Sequence, residues 1–243
     1  MKKGGVAISA PSTSASLGGN MAQFTFDWTK IFNRITKSLL IICFWAVWAT
    51  QAQAASDAQP EKPIAGCKIG DARQLEFSDA TADAILLLGP LYHLVERQDR
   101  HRSLSEAYRV LKTGGYLFAV GISRFASTVD GLTSGYFLDP VFQKIMHSDL
   151  ENGQHRNPTH NPAYFTDTFF HHPDELKAEV ANIGFEIADL LAVEGISYIM
   201  KDFNENWSVE SHREFLLEII GQTEKEQSLI GASPHIMCVA VKS

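Results

Sequence analysis

Ala82-Asp83-Ala84-Ile85-Leu86-Leu87-Leu88-Gly89-Pro90-Leu91-Tyr92-His93-Leu94 decides the reading of this chain. Residues 84–88 form a short unbroken apolar run closed by Gly89-Pro90, the pattern of a parallel strand buried on both faces. Downstream, residues 99–111 place Leu104, Ala107, Tyr108 and Leu111 at i, i+3, i+4 and i+7, one face of a helix. Gly114-Gly115 is expected to stop that helix, because glycine readily takes a positive φ. Residues 116–122 read as the next strand.

The alternation continues. Pro173 suits a first helical turn, with Leu176, Val180 and Ile183 inward and Gly184 at the end. Residues 185–193 read as a strand, and 196–200 as a second. Residues 210–220 read as a helix with Phe215, Leu216 and Ile219 inward and Gly221 at its end. Residues 235–241 form a final strand. Strand–helix alternation of this kind means α/β with a mostly parallel sheet. Residues 123–172 break the pattern. They are rich in Phe and Tyr and interrupted by His155-Arg156-Asn157-Pro158 and Asn161-Pro162, so they read as an inserted lid of short helices and loops.

Of the 243 residues, 45% are hydrophobic, enough for a substantial core. The net charge of −7 is unevenly placed. Lys2, Lys3, Lys30, Arg34 and Lys37 face only Asp27 in residues 1–53, so the rest of the chain is strongly acidic. An acidic globular part argues against nucleic-acid binding, which needs Lys and Arg against phosphates. Cys43, Cys67 and Cys238 show no metal spacing and no disulfide framework, and Cys43 and Cys238 read as small buried residues. The histidines His155, His160, His171 and His172 make no metal motif, so no metal is expected.

Residues 1–53 differ in character from the other 190. Residues 9–19 are Ser- and Gly-rich and loop-like. Residues 39–49, LLIICFWAVWA, would span roughly 16 Å as a helix, well short of a hydrocarbon core of about 30 Å. The run is therefore not expected to cross a membrane. Its length suits the apolar region of a signal peptide, with Lys30, Arg34 and Lys37 as the basic flank and Ala52-Gln53-Ala54 as a cleavage site. A buried strand or helix is the competing reading.

From about Ala54 to Lys242, the order of elements and the words Gly70-Asp71-Ala72, Leu88-Gly89-Pro90-Leu91-Tyr92-His93-Leu94 and Arg109-Val110-Leu111-Lys112-Thr113-Gly114-Gly115 resemble class I S-adenosylmethionine (SAM) dependent methyltransferases of the small-molecule type. The resemblance implies a Rossmann-like sheet of order 3-2-1-4-5-7-6, a SAM cofactor and a small-molecule methyl acceptor. It implies that Asp71 accepts from the adenine amino group and that Ala72 lends its backbone N–H to the ring. Leu88 and Gly89 would lie beneath the methionine part of SAM, and Tyr92 and His93, the candidate catalytic residues with His93 as candidate general base, near the methyl group and the acceptor. Arg124, His155, Arg156, Tyr164 and His171 become candidate acceptor-pocket residues, together with His172. Bland readings stand beside these: Asp71 as a turn residue, Tyr92 as a packed aromatic, His93 as a helix cap rather than a base.

One part of the family pattern is missing. No glycine-rich turn follows a buried strand in residues 1–53, and no acidic residue ends a second strand there. The expectation is therefore a partial methyltransferase domain over 54–243, with the lid at about 123–172. Its sheet is expected to be incomplete at the N-terminal half, with residues 1–53 replacing it. The fold and cofactor imply a cytoplasmic enzyme. The competing functions are a non-catalytic methyltransferase remnant and an exported or membrane-associated interaction protein.

Overall fold

The computed structural model describes residues 6–9, 39–43 and 66–243, with side-chain surroundings from residue 70 onward. Its organising element is β5 (Leu111–Ser123), whose alternate residues are buried on opposite faces of one sheet. On one side β5 pairs in parallel with β4 (Ala82–Leu88). The sheet continues in parallel through β2 (Leu39–Cys43) and β1 (Val6–Ser9) to β3 (Gly66–Ile69). On the other side β5 pairs antiparallel with β9 (His235–Lys242), which pairs antiparallel with β8 (Phe185–Ala192). The order is thus β3-β1-β2-β4-β5-β9-β8, with β9 alone reversed in this row.

The half-sheet expected to be missing is present as strands. Residues 6–9 and 39–43 occupy the two places between β3 and β4. The segment carrying Asp71 therefore has a sheet partner in β1. Compared with the order 3-2-1-4-5-7-6 that the resemblance implies, the first two strands have exchanged places. Leu39–Cys43 adopts the competing strand reading, and it lies beside the apolar Ala84–Leu88 ladder. The proposed cleavage site at Ala52–Ala54 lies outside the described residues.

Apolar layers cover both faces of the sheet. On one, Ile85, Leu87, Leu117, Ile236 and Cys238 pack against Leu104 and Ala107 of α2 (Arg97–Val110) and Leu176 and Val180 of α5 (Pro173–Ala181). On the other, Ala84, Leu86, Phe118, Val120 and Met237 form a smaller layer. Burial pushes the Cys238 thiol up to about 12, so it behaves as a small apolar side chain. Short helices follow β5: α3 (Ala126–Ser134) and α4 (Pro140–Asn152). The hairpin β6 (Gln154–His155) and β7 (Thr168–His171) then returns the chain to the end of β5.

Three local expectations change. The helix before β5 ends at Val110, ahead of the glycine pair. Gly114, at φ +75°, and Gly115 instead shape the entry of β5, because a Cβ on Gly115 would lie 2.8 Å from the Lys112 carbonyl and 3.1 Å from that of Asp83. Residues 196–200 are not a strand: Gly195–Ile199 is a 3-10 turn, begun by Gly195 at φ +61°. In α7 (Glu210–Thr223), Phe215 is 61% exposed and Ile220 is the buried residue, with Gly221 inside the helix. A single buried position on that helix means that it lies on the surface rather than in the sheet layer. The short helices α6 (Phe203–Ser208) and α8 (Gln227–Ile230) flank it. Among the described residues no helix is long and apolar enough to cross a membrane.

Gly115→Ala should lower the urea midpoint, at a cost of about 1–3 kcal/mol, because the methyl must displace backbone carbonyls of two segments. A Gly114→Ala control meets no atom within 4 Å and tests the φ requirement alone.

Candidate active site

Ligands of open α/β sheets bind outside the carboxyl ends of the strands, where successive connections leave in opposite directions. The strand that follows β2 in sequence, β3, lies on one side of it, whereas β5, which follows β4, lies on the other, so the switch point lies between β2 and β4. At that edge β4 ends at Leu88, and Gly89 follows at φ +121°. An L side chain rarely adopts that backbone, and only with Gly89 can the chain turn sharply into α1 (Pro90–His93). Pro90 and Leu91 are buried, which sets Tyr92 and His93 side by side with rings 4.7 Å apart. Their positions thus follow from the word Leu88-Gly89-Pro90-Leu91.

Phe165 approaches from the segment between α4 and β7, with its ring 6.4 Å from that of His93. Its φ of +66° is a strained conformation for a bulky residue. Neighbouring side chains hold it there. Asn157 Nδ2 donates to the carbonyls of Phe165 and Asn161, both at 2.7 Å. His155 is wedged between the Asp149 carboxylate at 2.8 Å and the Tyr164 carbonyl at 2.7 Å, and it stacks on Phe170. The Tyr164 hydroxyl donates to Asp139 at 2.6 Å. His155 and Tyr164, named as acceptor-pocket candidates, therefore have their polar atoms engaged in the interior and brace the loop that carries Phe165.

His171 is buried at the end of β7, with Nε2 3.3 Å from Glu179. Glu179 also takes the guanidinium of Arg100, itself 2% exposed and stacked over Phe169. Burial pushes the His171 imidazole down, toward its neutral form. Burial would push Glu179 up, but the bonds from His171 and Arg100 outweigh it and hold the carboxyl well below its usual range. Arg124 packs inward and pairs with Glu175. Arg156 is exposed and turned toward Gln154, Glu96 and Asp167. The structure does not gather these arginines around one point.

Asp71 follows β3 at the same sheet edge. Its carboxylate accepts from the Arg73 side chain and backbone N–H at 2.7–3.1 Å. Those bonds hold its carboxyl below the usual range, so it stays an acceptor. Ala72 is buried beside Leu75. Burial drives His93 down to about 4, so at neutral pH it is an uncharged imidazole and a weak base.

A second histidine meets this cluster that the sequence did not single out. His235 begins β9, opposite Ile122 near the end of β5, and its ring lies 6.0 Å from Tyr92. Its Nδ1 is 2.5 Å from Glu194, a buried carboxylate that follows β8. Glu194 lies 41 residues before His235, and no local pattern joins them. The hint present in the sequence was an acidic residue at the end of an apolar strand, with Gly195 after it.

Residues 24–119 match the methyltransferase-domain family. The match begins inside the N-terminal segment that reads differently from the rest. No curated protein sequence matches the chain. Among solved structures, a SAM-dependent methyltransferase from Methanosarcina mazei is 14% identical, with a TM-score of 0.51, covering 100% of this chain and 94% of its own. A putative methyltransferase from Bacillus halodurans is 18% identical, with a TM-score of 0.44, covering 100% and 94%. The likeness to the Methanosarcina mazei structure shows the methyltransferase fold, and the family match lies within residues 24–119 of this chain.

Glu179→Gln should flatten the acid side of the stability curve. Because the folded-state value is depressed, the wild-type contribution is present above the ordinary carboxylate value of about 4.3 and is lost as pH falls below it. Urea midpoints measured between neutral pH and pH 2 read the difference.

Proposed function

We propose that the chain transfers a methyl group from SAM to a small-molecule acceptor at the β2–β4 switch point, in the cytoplasm where SAM is made. The observation that carries this reading is Gly89 at φ +121°, which ends β4 and leaves its backbone bare at the edge where a ligand lies. The donors and acceptors present suit the adenine side and the floor of a SAM site. Asp71, ionised and partly exposed, can take the adenine amino group by yielding part of its Arg73 contact. Ala72 offers its backbone N–H, and Leu88 and Gly89 form the floor. Tyr92 and His93 flank the acceptor side, with Phe165 opposite.

SAM supplies a methyl group on a sulfonium, already a good leaving group. The protein's main task is then alignment of the acceptor. Arg124 and Arg156, and more remotely His155, Tyr164 and His171, would shape the acceptor side by holding the lid. The sequence after β2 begins Phe44-Trp45-Ala46 rather than with glycines. That departure favours weak SAM binding over none, because the adenine and floor contacts lie elsewhere.

Isothermal calorimetry with SAM tests the reading on the full chain. Binding in the micromolar to low millimolar range is expected. Asp71→Ala should weaken it roughly tenfold, the worth of one charge-assisted hydrogen bond. Gly89→Ala should weaken it further, with the urea midpoint measured alongside to separate loss of binding from loss of fold. No heat of binding at millimolar SAM would favour the non-catalytic remnant instead.

A further inference from the structure

The Glu194–His235 pair is built more completely than an ion pair needs to be. Glu194 Oε2 accepts from Ser233 Oγ at 3.0 Å and from the His235 backbone N–H at 2.9 Å, while Oε1 faces His235 Nδ1 at 2.5 Å. Ser233 Oγ in turn accepts from the backbone N–H groups of Glu194 and Gly195, both at 3.1 Å. The carboxylate is therefore fixed at both oxygens, and the imidazole is fixed by the carboxylate. Nδ1 carries the proton toward Glu194, which leaves Nε2 as the open nitrogen. Among the described residues no hydrogen bond reaches Nε2, and the side chain is 26% exposed. A base within reach of solvent, oriented by a third group, is the arrangement of a general base with its orienter.

Its place in the fold adds the second half. Because β9 runs antiparallel, its first residue lies at the edge where β4 and β5 end. There the His235 ring lies 6.0 Å from Tyr92, whose neighbour His93 faces Phe165. Tyr92, His93 and Phe165 form an aromatic cluster beside His235, a surface against which a flat aryl group packs well.

We propose that His235 is the general base of the methyl transfer, that Glu194 is its positioning residue, and that the acceptor is an aryl hydroxyl. The proposal rests on the SAM-dependent reading above. The acceptor O–H proton passes to His235 Nε2. The oxygen pair so released bonds to the methyl carbon as the methyl–sulfur bond breaks and its electron pair goes to sulfur. The imidazolium, stabilised by Glu194, then gives its proton to water. Burial disfavours the charged ring, but the Glu194 charge and hydrogen bond outweigh it and raise His235 above the ordinary histidine value. His93, driven down to about 4, is the weaker base. The groups facing the pair are Tyr92 from α1, and Tyr198, which feels the charge of Glu194 and bonds to Asp130 of α3.

The test uses the full chain and two probes: 4-methylphenol, which must lose a proton, and 4-nitrothiophenol, already ionised at neutral pH. Wild type should methylate both from SAM. His235→Gln should lose roughly a hundredfold or more in kcat on the phenol, keep the thiolate rate within a few fold, and bind SAM unchanged by calorimetry. Glu194→Gln should shift the acid limb of kcat/KM on the phenol to lower pH. A readout without SAM accompanies this: the His235 ring resonances should titrate above the ordinary histidine range in wild type and at lower pH in Glu194→Gln. Equal loss on both probes, no loss on either, or a His235 titration indifferent to Glu194 would overturn the base assignment. SAM binding without methylation of 4-methylphenol would overturn the aryl hydroxyl acceptor. Absence of SAM binding would instead remove the reading beneath it. If His235→Gln fails to fold, the Glu194→Gln pH profile and ring titration decide alone.

Discussion

The reversed pairing of β9 between β5 and β8 is the constraint on which the rest depends. It buries Ile236, Met237 and Cys238 within the two apolar layers. It also brings the start of one strand to the edge where its neighbours end. Direction along the chain is thereby converted into proximity in space: a residue 147 positions after Leu88 arrives beside the helix that follows Leu88. Were β9 parallel, the same residue would lie at the opposite edge, a full strand length away.

A second constraint works at the lid. The segment from His155 to His171 buries Tyr164, Phe169 and Phe170, and side-chain amides, imidazoles and a phenol satisfy the turns between them. A loop whose backbone is drawn inward with such rings needs polar partners for its buried N–H and C=O groups. That explains why so many of its histidines and asparagines face inward. Residue types that suggest chemistry when read along the chain serve here to support one aromatic ring.

Much of the fold was legible because its signals are short-range. Residues 84–88 and 116–122 read as strands from unbroken apolar runs, and α2 and α5 from helical periodicity. Legibility failed where tertiary pairing outweighs local pattern. Residues 6–9 and 39–43 gain their strand identity from neighbours across the sheet, and Gly114-Gly115 resembles a helix stop although the turn it makes belongs to a strand entry. Phe215 fits an inward helical face by spacing, but the helix has little to pack against. At the site, Gly89, Tyr92 and His93 lie in one word and could be read together. Glu194, Ser233 and His235 come from two words about forty residues apart, and only the β8–β9 ladder joins them.

The exchanged order of β1 and β2 has a geometric meaning. Every strand from β3 to β5 points the same way, so swapping two of them is a permutation that leaves the sheet's polarity intact. The edge that gathers carboxyl ends is the same edge before and after. A binding cleft defined by polarity is thus invariant to which strand comes first in the gene, so such a sheet can absorb rearrangement of its early segments without moving its cleft to the other side.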